Sequence, residues 1–248
     1  MTAKGWVIFA TLCIAILGGM VWVAQKSRID VTDIDENRIQ VASELNGNIG
    51  DHVYGNRESK VVLIEYGDFQ CPGCKPASPV VKSVVEKYKD KIAFVFRNYP
   101  LYTIHPNAFA ASAVAEAAGL QNKYWEMHAY LFENQTSWDQ LSGTARADYF
   151  VSAATMLGLD TDKFTADIDS APVKAKIDFD TQLGKKKGLT GTPTFYIDGK
   201  DVGSQYVLDG QLVSSTTEGA QTVWTDELAF ETYVIIPALK QAGIPFED

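Results

Sequence analysis

The residues of this chain best suited to do chemistry are two thiols, Cys71 and Cys74, in the run Cys71-Pro72-Gly73-Cys74. Cysteines three apart can exchange a disulfide with another thiol, form half of a metal site, or staple a short loop. Zinc needs two further ligands. The other candidates are His52, His105 and His128, scattered singly, and Cys13 inside an apolar run, so no metal is expected. A staple across so short a loop would restrain little unfolded-chain entropy, because that effect grows with loop length. Thiol–disulfide exchange is the better reading.

Exchange requires one reactive sulfur. At a helix N-terminus, the dipole and the free N–H groups favour thiolate over thiol, and each unit of pKa lowering is worth about 1.4 kcal/mol. The same preference makes Cys71 a good leaving group and its disulfide more oxidising. Cys74, one helical turn on, is expected to be the more buried, resolving sulfur.

The surrounding pattern supplies such a helix. Val61-Val62-Leu63-Ile64 is a β-branched apolar run and predicts a strand buried on both faces. Val80, Val81, Val84, Val85 and Tyr88 recur at helical spacing, with Pro76 and Pro79 in the early turns and Pro79 expected to kink the helix or delay its regular part. Residues 92–96 predict a second strand, which completes a βαβ unit. A short edge strand is expected near residues 52–55. Residues 106–187 read as helical, with starts at Asn107, Asn122, Thr144, Thr161 or Asp162, and near Pro172. Residues 194–197 then predict a strand, Asp198-Gly199 a hairpin turn, and residues 202–208 a second strand. Residues 209–223 read as a Gly/Ser/Thr-rich loop. Residues 224–241 read as a closing helix with Leu228, Tyr233, Ile236 and Leu239 in the core.

A second chemical element is Gly191-Thr192-Pro193-Thr194-Phe195. Proline directly before a buried strand is unusual because it lacks a ladder donor. A cis peptide would leave the preceding backbone free to pair with a substrate strand; an ordinary trans-proline is the commoner form.

The chain has 248 residues, 46% hydrophobic and 21% charged, a globular composition long enough for one large or two small domains. Its net charge of −9 argues against a nucleic-acid partner. Gly5 to Ala24 carries no charge, with Trp6 and Trp22 near its ends. Twenty residues span roughly 30 Å as a helix, the thickness of a bilayer's hydrocarbon core. Trp22 falls at −3 for a cut after Ala24, which disfavours signal-peptide cleavage. The first 28 residues are therefore expected to be a transmembrane anchor. Lys4 on one side and Lys26 and Arg28 on the other do not decide its orientation.

Several segments together resemble the DsbA family, in particular its membrane-anchored or Gram-positive-type members. They are Glu65-Tyr66-Gly67-Asp68-Phe69-Gln70-Cys71-Pro72-Gly73-Cys74, Phe96-Arg97-Asn98-Tyr99-Pro100-Leu101, His105-Pro106, Tyr124-Trp125-Glu126-Met127-His128 and Gly191-Thr192-Pro193-Thr194-Phe195. The resemblance implies an α/β, thioredoxin-like fold with an all-helical insertion, here preceded by an N-terminal transmembrane helix. The domains would be an anchor over residues 1–28, a juxtamembrane linker over 29–50, a thioredoxin-like domain over 51–105 and 188–248, and the helical insertion over 106–187.

The resemblance also implies roles. Cys71 would be the nucleophilic sulfur and Cys74 its partner. Pro193 would be a cis-proline facing them. Thr192 would offer hydrogen bonds to substrate or to the Cys71 sulfur. Glu65 would be a buried acid exchanging a proton with the resolving thiol, where the residues alone leave open a partly exposed strand-end carboxylate. Phe69 and Tyr66 read as packing or rim residues, and His105 and His128 as structural.

The expected function is disulfide donation to exported proteins with free thiols, outside the cytoplasm, because cytosolic thiols are kept reduced. Reoxidation would come from a quinone-linked membrane oxidase of the DsbB or VKOR type. The step needs no organic cofactor and no metal. The alternatives are a reductase or isomerase of the same fold, and a client-holding, chaperone-like binding module. Gly73 stands where strongly oxidising members carry histidine, which bears on the direction of exchange; Lys75 adds a positive charge nearby.

Overall fold

The computed structural model describes residues 3–26 and 29–246, without the side chains of residues 3–4, 7–8 and 20–26. The chain divides into two units, Met1–Asp30 and Val31–Asp248.

The first unit is a single helix, α1 (Ala3–Lys26). Its described apolar side chains, such as Phe9, Leu12 and Ile14, are exposed. Among the described residues no helix is long and apolar enough to cross a membrane. The transmembrane segment expected over residues 1–28 is thus unsupported by the structure; residues 1–2 and 27–28 of that stretch lie outside the described residues.

The second unit is built on a five-stranded sheet in the order β1-β3-β2-β4-β5. Its strands are β1 (Val53–Gly55), β2 (Val62–Gly67), β3 (Ala93–Asn98), β4 (Thr194–Ile197) and β5 (Lys200–Asp201). β2 and β3 are parallel and every other pair is antiparallel. Helix α2 (Cys74–Lys87) makes the crossover from β2 to β3. It buries Cys74, Ala77, Val81, Val84 and Val85, the stripe that helical spacing requires. Pro79 lies inside α2 and does not interrupt it, because it sits on the exposed face where a missing N–H costs least.

Six helices separate β3 from β4: α3 (Ala108–Gly119), α4 (Tyr124–Glu133), α5 (Gln135–Trp138), α6 (Gly143–Met156), α7 (Thr161–Ile168) and α8 (Ala171–Lys186). Alanine-rich α3 is buried along most of its length, and its small side chains let α4, α7 and α8 approach it closely. Asn122 does not cap α4; it takes a left-handed turn (φ 59°), and Lys123 stands at the cap. α7 is capped by Asp160, whose carboxylate accepts from the Asp162 and Lys163 N–H groups.

The region after β4 departs most from expectation. Asp198 and Gly199 both have positive φ, as a two-residue hairpin requires. Asp209 and Gly210 repeat that geometry. They join β6 (Tyr206–Leu208), within the stretch 202–208 read as a strand, to β7 (Gln211–Val213), and β8 (Gln221–Thr222) completes a second, three-stranded sheet; β7 and β8 fall in the segment read as loop. The closing helix is also not continuous. α9 (Glu227–Phe230) passes through a π turn at Glu231–Ile235 into α10 (Ile236–Ala242), whose second residue is Pro237. Proline cannot supply the next intrahelical donor, and a π turn accommodates that. The resulting shift in phase leaves Leu228 exposed and only partly buries Tyr233 and Ile236, while Ala229, Phe230, Val234, Ile235 and Leu239 form the core.

Residues 31–50, within the stretch read as linker, are held against the sheet by a buried ionic network centred on Asp51. Arg97 on β3, fully buried, donates to the Glu36 and Arg38 carbonyls at 2.6 Å each and to the Asp51 carboxylate at 2.8 Å. Lys176 on α8 bridges Asp51 at 2.9 Å and Asp180 at 2.7 Å. Burial alone would raise the Asp51 carboxyl, but the Arg97 and Lys176 charges hold it well below the usual carboxylate range.

Candidate active site

β2 ends at Gly67, and the chain turns through Asp68 to Gln70 into the first turn of α2, which sets Cys71 against the entry to β4. The Cys71 thiol donates to the Thr192 carbonyl at 3.3 Å. The Thr192–Pro193 peptide is cis. Gly73 completes the contact: a Cβ there would stand 3.3 Å from Pro193 Cδ and 3.7 Å from Cys71 Sγ. The structure thus brings together Cys71, Cys74, Thr192 and Pro193, from segments about 120 residues apart.

The two thiols differ sharply in acidity. Cys71 is pulled down to about 5. A hydrogen bond from the Cys74 thiol is the largest cause; burial opposes it, and the Thr192 side chain and the Cys74 and Gly73 N–H groups add to it. The Thr192 hydroxyl is buried and has no hydrogen-bond partner among the described residues while both cysteines are thiols. It is a spare donor for the thiolate, which can no longer donate to the Thr192 carbonyl. Cys74, fully buried, is pushed well up by burial first, then by its bond to Cys71 and the charge of Glu65.

Glu65 lies on β2 between Phe96 of β3 and Phe195 of β4, and only 2% of it is exposed. Burial first, and the Cys71 charge second, push its carboxyl up to about 8. At neutral pH the site therefore holds a Cys71 thiolate, a Cys74 thiol and a protonated Glu65. Such a set can supply a nucleophile, a resolving sulfur and an acid.

Two positioning groups escaped the sequence reading. Gln135, at the start of α5, donates to the Phe69 carbonyl at 2.8 Å and the Cys71 carbonyl at 3.0 Å. The buried Asp68 carboxylate accepts from the Gln70 N–H at 2.8 Å and the Leu101 N–H at 2.9 Å, and lies 2.7 Å from His105 Nδ1. Asp68 could have been suspected from its place three residues before Cys71. Nothing in the sequence marks Gln135, because its partners are backbone carbonyls more than 60 residues away. His128 is ringed by Phe69, Phe96 and Phe132.

The chain belongs to the thioredoxin family, whose profile matches residues 47–210. A Na(+)/H(+) antiporter, NhaA 1 of Salinispora arenicola, is 34% identical over 172 residues, which is 69% of this chain and 25% of that protein. The chain spans about a quarter of the length of the curated relatives it matches. A thioredoxin-like oxidoreductase from Silicibacter pomeroyi superposes with a TM-score of 0.52 at 29% identity, over 63% of this chain and 85% of that one. Wolbachia pipientis alpha-DsbA1 shares the fold, with a TM-score of 0.58 at 24% identity over 77% of this chain and 92% of that one.

Proposed function

We propose that this chain is an extracytoplasmic thiol–disulfide oxidoreductase that donates the Cys71–Cys74 disulfide to exported proteins. The observation that carries the reading is the opposed acidity of two thiols one helical turn apart, beside a cis-proline. A substrate thiolate attacks Cys71 Sγ. The Cys71–Cys74 bond breaks, and Cys74 leaves with the electron pair and takes a proton from Glu65, whose charge influences the Cys74 thiol. A second substrate thiolate attacks the substrate sulfur of the mixed disulfide, and Cys71 leaves as a stable thiolate. The substrate loses two electrons and the cysteine pair gains them.

The reduced pair is returned to the disulfide by a quinone-linked membrane oxidase of the DsbB or VKOR type. Anchorage through residues 1–28 rests on the uncharged run from Gly5 to Ala24. A tether beside a membrane oxidase would raise the effective concentration of the pair. Gly73, which puts no charged or hydrogen-bonding side chain beside Cys71, favours as a second reading a reductase or isomerase of the same fold.

The deciding measurement is the reduction potential of Cys71–Cys74 against glutathione. A potential near that of reducing thioredoxins, about −270 mV, would overturn the oxidase reading. In cells, C74S is expected to accumulate mixed disulfides between Cys71 and exported proteins. Their absence, with function intact in C71S, would point instead to a client-holding module.

A further inference from the structure

Two polar atoms in the core beside this site lack partners, and they share one cavity. Glu65 Oε1 and His128 Nε2 are buried and make no hydrogen bond among the described residues. Both residues line a cavity of about 50 Å³, together with Tyr54, Ser78, Lys82 and Trp125. A single water needs roughly 10–15 Å³ measured this way, and two to four polar partners. The cavity is thus large enough, and its two orphan atoms supply the partners. The aromatic ring of side chains around His128 keeps the imidazole in place.

The cavity also backs onto the surface. Ser78, Lys82 and Ala129 line both it and an open groove of about 530 Å³ between α2 and α4. Lys75, next to Cys74, lines the same groove.

We propose that His128 holds an ordered water against the Glu65 carboxyl, and that this water, reached past Ser78 and Lys82, returns a proton to Glu65 after Glu65 has protonated Cys74. The inference rests on the exchange chemistry proposed above. The proton comes from bulk water, and no electrons move in this step. Burial, with the Lys82 charge added, pushes His128 down to about 3, so the ring is neutral and orients the water without carrying the proton. His128 is therefore a positioning residue. The other titratable groups facing the cavity are Tyr54 on β1 and Lys82 on α2; Tyr124, one turn back on α4, tilts against the His128 ring.

The test is the rate at which dithiothreitol reduces the oxidised full chain, followed across pH with the solvent deuterium isotope effect. H128F, which fills the cavity, is expected to slow reduction about tenfold at neutral pH and to change the pH profile, since positioned proton transfer contributes at least that much. H128Q keeps a polar atom near Nε2 and is expected to stay within about twofold of the wild-type rate. S78V, which narrows the mouth on a partly exposed helix face, is expected to slow reduction as H128F does. The Cys71 thiolate titration should not change in any of the three. An H128F protein with wild-type melting temperature, rate and pH profile would overturn the proposal. If H128F does not fold, S78V at the wild-type rate, or a dry cavity in a high-resolution crystal structure, would overturn it equally. Failure of the wild type to react with dithiothreitol would instead refute the oxidoreductase reading.

Discussion

Replacing Cys74 by alanine tests what holds Cys71 as a thiolate. The Cys74 S–H is the largest favourable contributor to the lowered Cys71 value, ahead of the Thr192 side chain and the Cys74 and Gly73 N–H groups. A hydrogen bond to a charged group contributes about 1.5–3 kcal/mol, and one pKa unit corresponds to about 1.4 kcal/mol, so C74A should raise Cys71 by about 1–2 units. Its titration would move from about 5 in the reduced wild type to roughly 6–7. C74S keeps a donor in the same place and should titrate close to the wild type. The assay is the ultraviolet absorbance of the thiolate against pH, checked by the pH dependence of iodoacetamide alkylation. Coincident midpoints for C74A and C74S would refute the reasoning and assign the low value to the Thr192 side chain and the N–H groups of Gly73 and Cys74. Such coincidence would also weaken the mechanism, since Cys71 could then leave equally well without its partner.

Two further outcomes follow from buried charge. Glu65 titrates at about 8 in the fold against 4.5 for an ordinary glutamate, chiefly through burial. Between those values Glu65 binds more protons in the fold than in the unfolded chain, so its contribution to stability falls as pH rises, while the lowered Cys71 value contributes in the opposite direction above about pH 5. E65Q should remove the Glu65 contribution, worth a few kcal/mol; denaturant unfolding of the reduced wild type and E65Q at the two ends of the window would show stability changing more favourably with pH in E65Q, and parallel pH dependences in both proteins would contradict it. R97L should destabilise the second unit by about 3–5 kcal/mol, because it leaves the Asp51 charge buried without its guanidinium partner. Urea unfolding reads this directly, and a change below about 1 kcal/mol would mean that Lys176 alone neutralises Asp51.

The parts that were legible in the sequence are those governed by near neighbours. β2, α2 and β3 follow from a β-branched run, an apolar face at helical spacing and a second apolar run. The hairpin at Asp198-Gly199 follows from two residues that tolerate positive φ. The hairpin at Asp209-Gly210 carries the same signal but is flanked by strands of only three residues, too short for an alternating pattern to register. The closing helix reads as continuous over residues 224–241; its break beside Pro237 shifts the phase and leaves Leu228 out of the core.

The sequence by itself determined that Cys71 and Cys74 lie one helical turn apart at a strand-to-helix junction, because spacing and apolar pattern act over a few residues. Only the tertiary structure decided their chemistry. Thr192 and Pro193 reach Cys71 across 121 residues, and Gln135 clamps the Cys71 carbonyl across 64. Glu65 changes from an ordinary carboxylate into a buried acid because β3, β4 and α2 close around it. Protonation depends on desolvation and on the donors within reach of an atom, and both are set by segments that only folding brings together.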